Sequence, residues 1–124
     1  MKQESLPIGG IENRVSVLEN QVRNSWTHTF GSTITYIGVY LGTQLLTHYI
    51  ELNIDTNQYD VTPNITGAYI FINSAWKQIE YVGLDTSGLR CRIRCKNLSS
   101  VPITPEDGKS YYYYFTGSLS ITPK

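Results

Sequence analysis

This sequence predicts a mainly β fold, an antiparallel β-sandwich or barrel head preceded by a short N-terminal coiled-coil helix. Three observations carry that prediction. After residue 26, apolar and polar residues alternate with period two, the pattern of strands with one buried face. Turn residues recur between the alternating segments, at Thr62-Pro63-Asn64, Asp85-Thr86-Ser87-Gly88, Pro102 and Pro105-Glu106-Asp107-Gly108. Before residue 26 the period changes, and Ile11, Val15, Leu18 and Val22 fall at spacings of four, three and four.

The 124 residues suit one domain with a short appendage. Residues 1–10 are polar, end in Gly9-Gly10 and read as a flexible N-terminal anchor peptide. Residues 11–25 read as a coiled-coil oligomerisation helix. Ile11, Val15, Leu18 and Val22 occupy a d-a-d-a seam, which places Arg14 at g and Glu19 at the following e, the pair that bridges parallel helices. The stripe is narrow, closer to a seam than to the wider apolar face of a globular helix. Isolated helices below ~12–15 residues are marginal in water, so a second association element has to continue what this seam begins.

Residues 26–124 form the predicted all-β head, with strands expected over 33–41, 45–55, 67–73, 76–82, 88–98, 110–115 and 118–122. Gly117 parts the last two, and residues 73–75 make a short polar hairpin connection. Within 45–55, Leu46, His48, Ile50, Leu52 and Ile54 share the core face, where His48 is expected as a hydrogen-bonded core histidine. Within 88–98, Leu89, Cys91, Ile93 and Cys95 point inward while Arg90, Arg92, Arg94 and Lys96 point outward. No helix-length period follows residue 26, which argues against βαβ units and for an antiparallel sheet.

Ten Lys and Arg balance ten Asp and Glu, so a globally basic coat is excluded and no nucleic-acid partner is expected. The N-terminus lacks the apolar core of a secretory signal, and no stretch approaches the ~18–20 apolar residues that span a bilayer. Synthesis in a cytoplasm without membrane insertion is therefore expected. Four strand residues separate Cys91 from Cys95 by ~13 Å, beyond the ~7 Å that a disulfide allows, so both are expected as reduced, buried thiols. With no histidine near them they make no metal site. Phosphate-binding loops, dinucleotide fingerprints and nucleophile elbows are missing, and nothing in the spacing of the acids singles out a glycosidase pair. No catalytic residue, cofactor or metal is expected, and the chain reads as a non-enzyme.

Two features stand above this background. Arg90, Arg92, Arg94 and Lys96 put four positive charges on one strand face, ~6.6 Å apart. They are a candidate stripe for an anionic ligand, with cross-strand pairing to acids such as Glu51, Asp55 or Glu80 as the structural alternative. Tyr111, Tyr112, Tyr113 and Tyr114, followed by Phe115, place aromatics on both sides of a sheet. One side can fill a core; the other is a candidate subunit interface or a platform for a sugar ring.

A polar N-terminal peptide, a coiled-coil stub built on Ile11, Val15, Leu18 and Val22, and a compact all-β head together resemble bacteriophage fibre proteins. The resemblance covers the whole chain at the level of architecture. It implies a homotrimer whose N-terminus docks on a capsid or other virion protein while the head projects and can contact glycans. The short length fits a head fibre or capsid decoration protein better than a long-shafted tail fibre, and the implied location is the virion. Val at a with Leu at d also suits a dimer. The alternative function is the receptor-binding tip or carbohydrate-binding module of a tail fibre.

Overall fold

A computed structural model describes residues 24–31, 33–42 and 47–124. The anchor peptide, the seam of Ile11, Val15, Leu18 and Val22, the Arg14–Glu19 pair and Leu46 lie outside the described residues. Within them the alternating segments become seven strands. These are β1 (Trp26–Thr29), β2 (Tyr36–Tyr40), β3 (His48–Asp55), β4 (Tyr59–Ile72), β5 (Ala75–Asp85), β6 (Arg90–Asn97) and β7 (Ser110–Pro123).

All pairings are antiparallel, in the order β1-β7-β2-β3-β6-β5-β4, and β4 pairs back onto β7. Strands β2 to β7 therefore close into a six-stranded barrel, and closure removes most of the exposed sheet edge. Strand β1 stands beside the ring, sharing one edge of β7 with β2: β1 takes residues 118–121 and β2 takes 110–113. Strands β4, β5 and β6 follow one another through hairpins while β3 lies beside β6, a Greek-key arrangement. Of the alternatives in the sequence reading, the head is the barrel.

The barrel interior is filled by alternate residues of every long strand. Ile50, Leu52 and Ile54 meet Ala68, Ile70 and Ile72, with Ile79, Cys91, Ile93, Cys95, Tyr113, Phe115, Leu119 and Ile121 completing the core. A six-stranded ring leaves a narrow interior, and Gly38 on β2 shows how narrow. A Cβ there would lie 2.7 Å from both Ile50 Cγ1 and Tyr113 Cε1, inside any tolerable contact.

Four elements differ from the sequence reading. The expected turn at Thr62-Pro63-Asn64 lies inside β4, whose first half pairs only with β7, so the missing proline N–H faces an open edge and costs no ladder bond. The two strands expected on either side of Gly117 are one, β7. The register of β4 slips between Ile65 and Gly67, inserting Thr66 as an extra residue, and Gly117 sits opposite at φ +104°. A Cβ on Gly117 would fall 2.1 Å from the Asn64 carbonyl oxygen, so only glycine fits that close approach. Leu89, expected inward, is 60% exposed, because β6 starts at Arg90 and Leu89 belongs to the turn before it. Strand β1 had no counterpart in the sequence reading.

The β4–β5 hairpin turns through Asn73 and Ser74, both at positive φ (54° and 61°), the two-residue geometry that matches strand twist. This tight turn places Phe71 directly opposite Trp76.

Candidate functional site

Inside the barrel, His48 is fully buried with both ring nitrogens engaged. Nε2 lies 2.6 Å from Asn97 Oδ1 and Nδ1 lies 2.7 Å from the Tyr113 hydroxyl. The Asn97 carbonyl oxygen only accepts, so Nε2 carries the proton and Nδ1 accepts from Tyr113. Burial lowers the His48 pKa from its ordinary 6.5, against the Asn97 hydrogen bond, which favours the charged form. Burial raises the Tyr113 phenol above its ordinary range. The thiols of Cys91 and Cys95 are free and buried, and desolvation pushes them up to about 11 and about 12. Such thiols are poor nucleophiles. His48, Tyr113 and Asn97 satisfy one another, and the two thiols pack as small apolar groups in the core.

The basic strand face looks outward, and its members find different partners. Arg92 Nε donates to Glu51 at 3.3 Å, Lys96 stands 4.0 Å from Glu80, and Arg90 donates to Asn53. Arg94 pairs with Asp85, which the sequence reading placed in a turn and did not count among the partners of this face, while Asp55 accepts instead from the backbone N–H of Asn57. The Ser87 hydroxyl, Arg94 and the Ser87 backbone N–H hold the Asp85 carboxyl well below the usual carboxylate range. Exposed pairs such as Arg92–Glu51 contribute ~0–1 kcal/mol each, so most of this face is cross-strand pairing.

Arg94 is the exception. Its guanidinium lies 3.7 Å from the centre of the Tyr49 ring and its side chain is largely buried, yet Nε has no hydrogen-bond partner among the described residues. Arg92 and Arg94 of β6, Tyr49 and Glu51 of β3, and Ile37 and Val39 of β2 line a groove of about 550 Å³.

The tyrosine run divides by strand parity. Tyr113 and Phe115 lie inside the barrel; Tyr113 is therefore unavailable as a contact for a partner, contrary to its place in the expected aromatic interface. Tyr111 is half-buried, its hydroxyl accepting from the Glu106 N–H at 2.8 Å. Tyr112 is 54% exposed, and Tyr114 stacks on Tyr69 at 4.5 Å between ring centres.

Register extends these outward residues into a surface the sequence reading missed. Tyr112 pairs with Ile37 on β2 and with Phe71 on β4, and Phe71 pairs with Trp76 on β5. Ile37, Tyr112, Phe71 and Trp76 make one exposed apolar row across four adjacent strands, with Trp76 also edge-on to Tyr114 at 4.8 Å. A signal for it existed in the sequence: segment 67–73 carries aromatic residues in its outward phase, at Tyr69 and Phe71, as well as apolar ones inward. Ile37 belongs to both the row and the groove, so the two form one continuous face.

No protein-family model, curated protein or solved structure was found to match this chain.

Proposed function

We propose that this chain is a non-enzymatic structural protein of a bacteriophage virion, a trimeric head fibre or capsid decoration protein. Residues 1–10 dock on the capsid, residues 11–25 gather the copies, and the barrel is the displayed head. The observation that supports this reading is the polarity of the barrel. The described chain begins at Asn24, directly after the seam, and its first strand pairs at the far end of β7, Trp26 opposite Ile121. Ile121 lies nine steps along β7 from Tyr112, ~30 Å at ~3.3 Å per residue. In this reading the stalk leads into β1 at the Ile121 end of β7, and the exposed aromatic row of the head lies toward the other end.

Sedimentation of the full chain at micromolar concentration tests the assembly. Three times the 14.1 kDa chain mass is expected, and Leu18→Asp, which puts a charge into the seam, is expected to dissociate it. A stable monomer overturns the reading. Immunogold labelling of phage particles tests the location, with label expected on the capsid; its absence from particles would count against a virion role. The groove and aromatic row favour a second reading, the receptor-binding tip or carbohydrate-binding module of a tail fibre.

A further inference from the structure

We infer that the face formed by the β2–β3–β6 groove and the adjoining aromatic row is a binding site for an acidic oligosaccharide, with sugar rings on the row and a carboxylate in the groove. This deepens the carbohydrate-binding reading and rests on it. It is independent of the trimer, because one chain supplies every residue.

Three observations converge. The row offers exposed ring surface at Tyr112, Phe71 and Trp76 on neighbouring strands, which lie ~4.8 Å apart, with Phe71 and Trp76 edge to face at 5.2 Å between ring centres. The electron-rich face of an aromatic ring attracts the polarised C–H groups on the apolar side of a pyranose, and a tyrosine hydroxyl serves the polar rim of the sugar. The groove that continues the row has the volume of a small-ligand site, since such sites run ~300–1,000 Å³. Its lining carries two guanidinium groups with donors to spare. Arg92 uses Nε on Glu51 in a long contact, and Arg94 keeps a buried Nε–H without a partner among the described residues.

Charge selects the ligand class. Glu51 and Asp85 stand beside Arg92 and Arg94, so the site carries no large positive field for a polyanion such as nucleic acid. A single carboxylate can still displace the weak Glu51 contact and take the planar fork of Arg92 in bidentate fashion. The Tyr49 ring, 3.7 Å from the Arg94 guanidinium, holds a second cation in the groove lining beside Arg92. A flat protein partner is disfavoured by size, because stable protein interfaces bury ~800 Å² on each side, whereas this row is one side chain wide.

Titration calorimetry of the full chain with a galacturonic acid oligosaccharide and with the neutral galactose oligosaccharide of equal length tests the assignment. The acidic ligand is expected to bind more tightly. Arg92→Ala is expected to weaken the acidic ligand by about tenfold, the size of one charge-assisted hydrogen bond, and to leave the neutral one unchanged. Tyr112→Ala is expected to weaken both. Lys96→Ala, on the same strand but outside the groove lining, is expected to change neither. Arg92 and Tyr112 are exposed, so both variants keep the fold, which circular dichroism checks. Equal binding of acidic and neutral ligands, or acidic binding untouched by Arg92→Ala, overturns the acidic assignment and leaves the carbohydrate-binding reading standing. No binding of either ligand, together with a glycan array free of signal, overturns both.

Discussion

Tyr112 and Tyr113 are neighbours of the same residue type on one strand, and their surroundings are opposite. Tyr113 is fully buried, with its hydroxyl on a buried histidine that is itself satisfied by Asn97. Tyr112 is more than half exposed and continues an apolar row across the outer wall. Strand β6 repeats the contrast, with Cys91, Ile93 and Cys95 sealed inside and four cations outside. Among the described residues, the polar groups of the inner face find partners, whereas the outer face leaves an aromatic row exposed and the Arg94 Nε–H without a partner. Stability is concentrated on the first face and the candidate function on the second.

Four substitutions sharpen or break this division. The largest effect is expected from Tyr113→Ala. Emptying a buried aromatic site costs ~3–5 kcal/mol, and here it also strips His48 Nδ1 of its donor. Tyr112→Ala should stay within ~0.5 kcal/mol, as exposed positions do. Urea unfolding of the pair reads the difference directly; equal losses would erase the distinction between the faces.

Gly117→Ala comes next, at about 2–3 kcal/mol, because φ +104° and the nearby Asn64 carbonyl both oppose a Cβ. The substitution strikes the point where the extra residue Thr66 keeps the inward positions of both halves of β4 on the core. Urea unfolding with an unchanged midpoint would mean that the slip is maintained by something other than this close approach.

The smallest effect is the pH dependence carried by His48. Its folded pKa is depressed by burial, so the unfolded chain binds the proton more readily. Stability from this group is fully present above pH 6.5 and declines as pH falls below it toward the folded pKa. Comparing unfolding midpoints of the wild type and His48→Gln across that range isolates the contribution. A profile that is the same in both would show that His48 is not what titrates.

Much of the inner face was legible in the sequence. Strict alternation in 45–55 and 88–98 identified the buried residues of β3 and β6, and a lone histidine in an apolar phase pointed to a hydrogen-bonded core position. The outer row was legible only in part. Tyr112 and Tyr114 stood out, but Phe71, Trp76 and Ile37 come from separate segments that only strand register brings together. Two strands were misread where alternation changes phase or carries a residue that usually breaks strands. In β4 the slip at Thr66 moves the inward positions from odd to even numbers, so neither half reads as part of one long strand.

The sequence by itself determined an antiparallel β-domain, the inward and outward phases of its regular strands, and a formal net charge of zero. These follow from period-two geometry and composition, which are local properties of the chain. Only the tertiary structure decided that the sheet closes as a barrel, that Asp85 and not Asp55 holds a strand cation, and that Tyr112, Phe71 and Trp76 meet beside the Arg92–Arg94 groove. Each of those depends on which strand lies next to which, and in what register. Pairing between distant segments is set by the packing of the whole core, so no single stretch of the sequence encodes it.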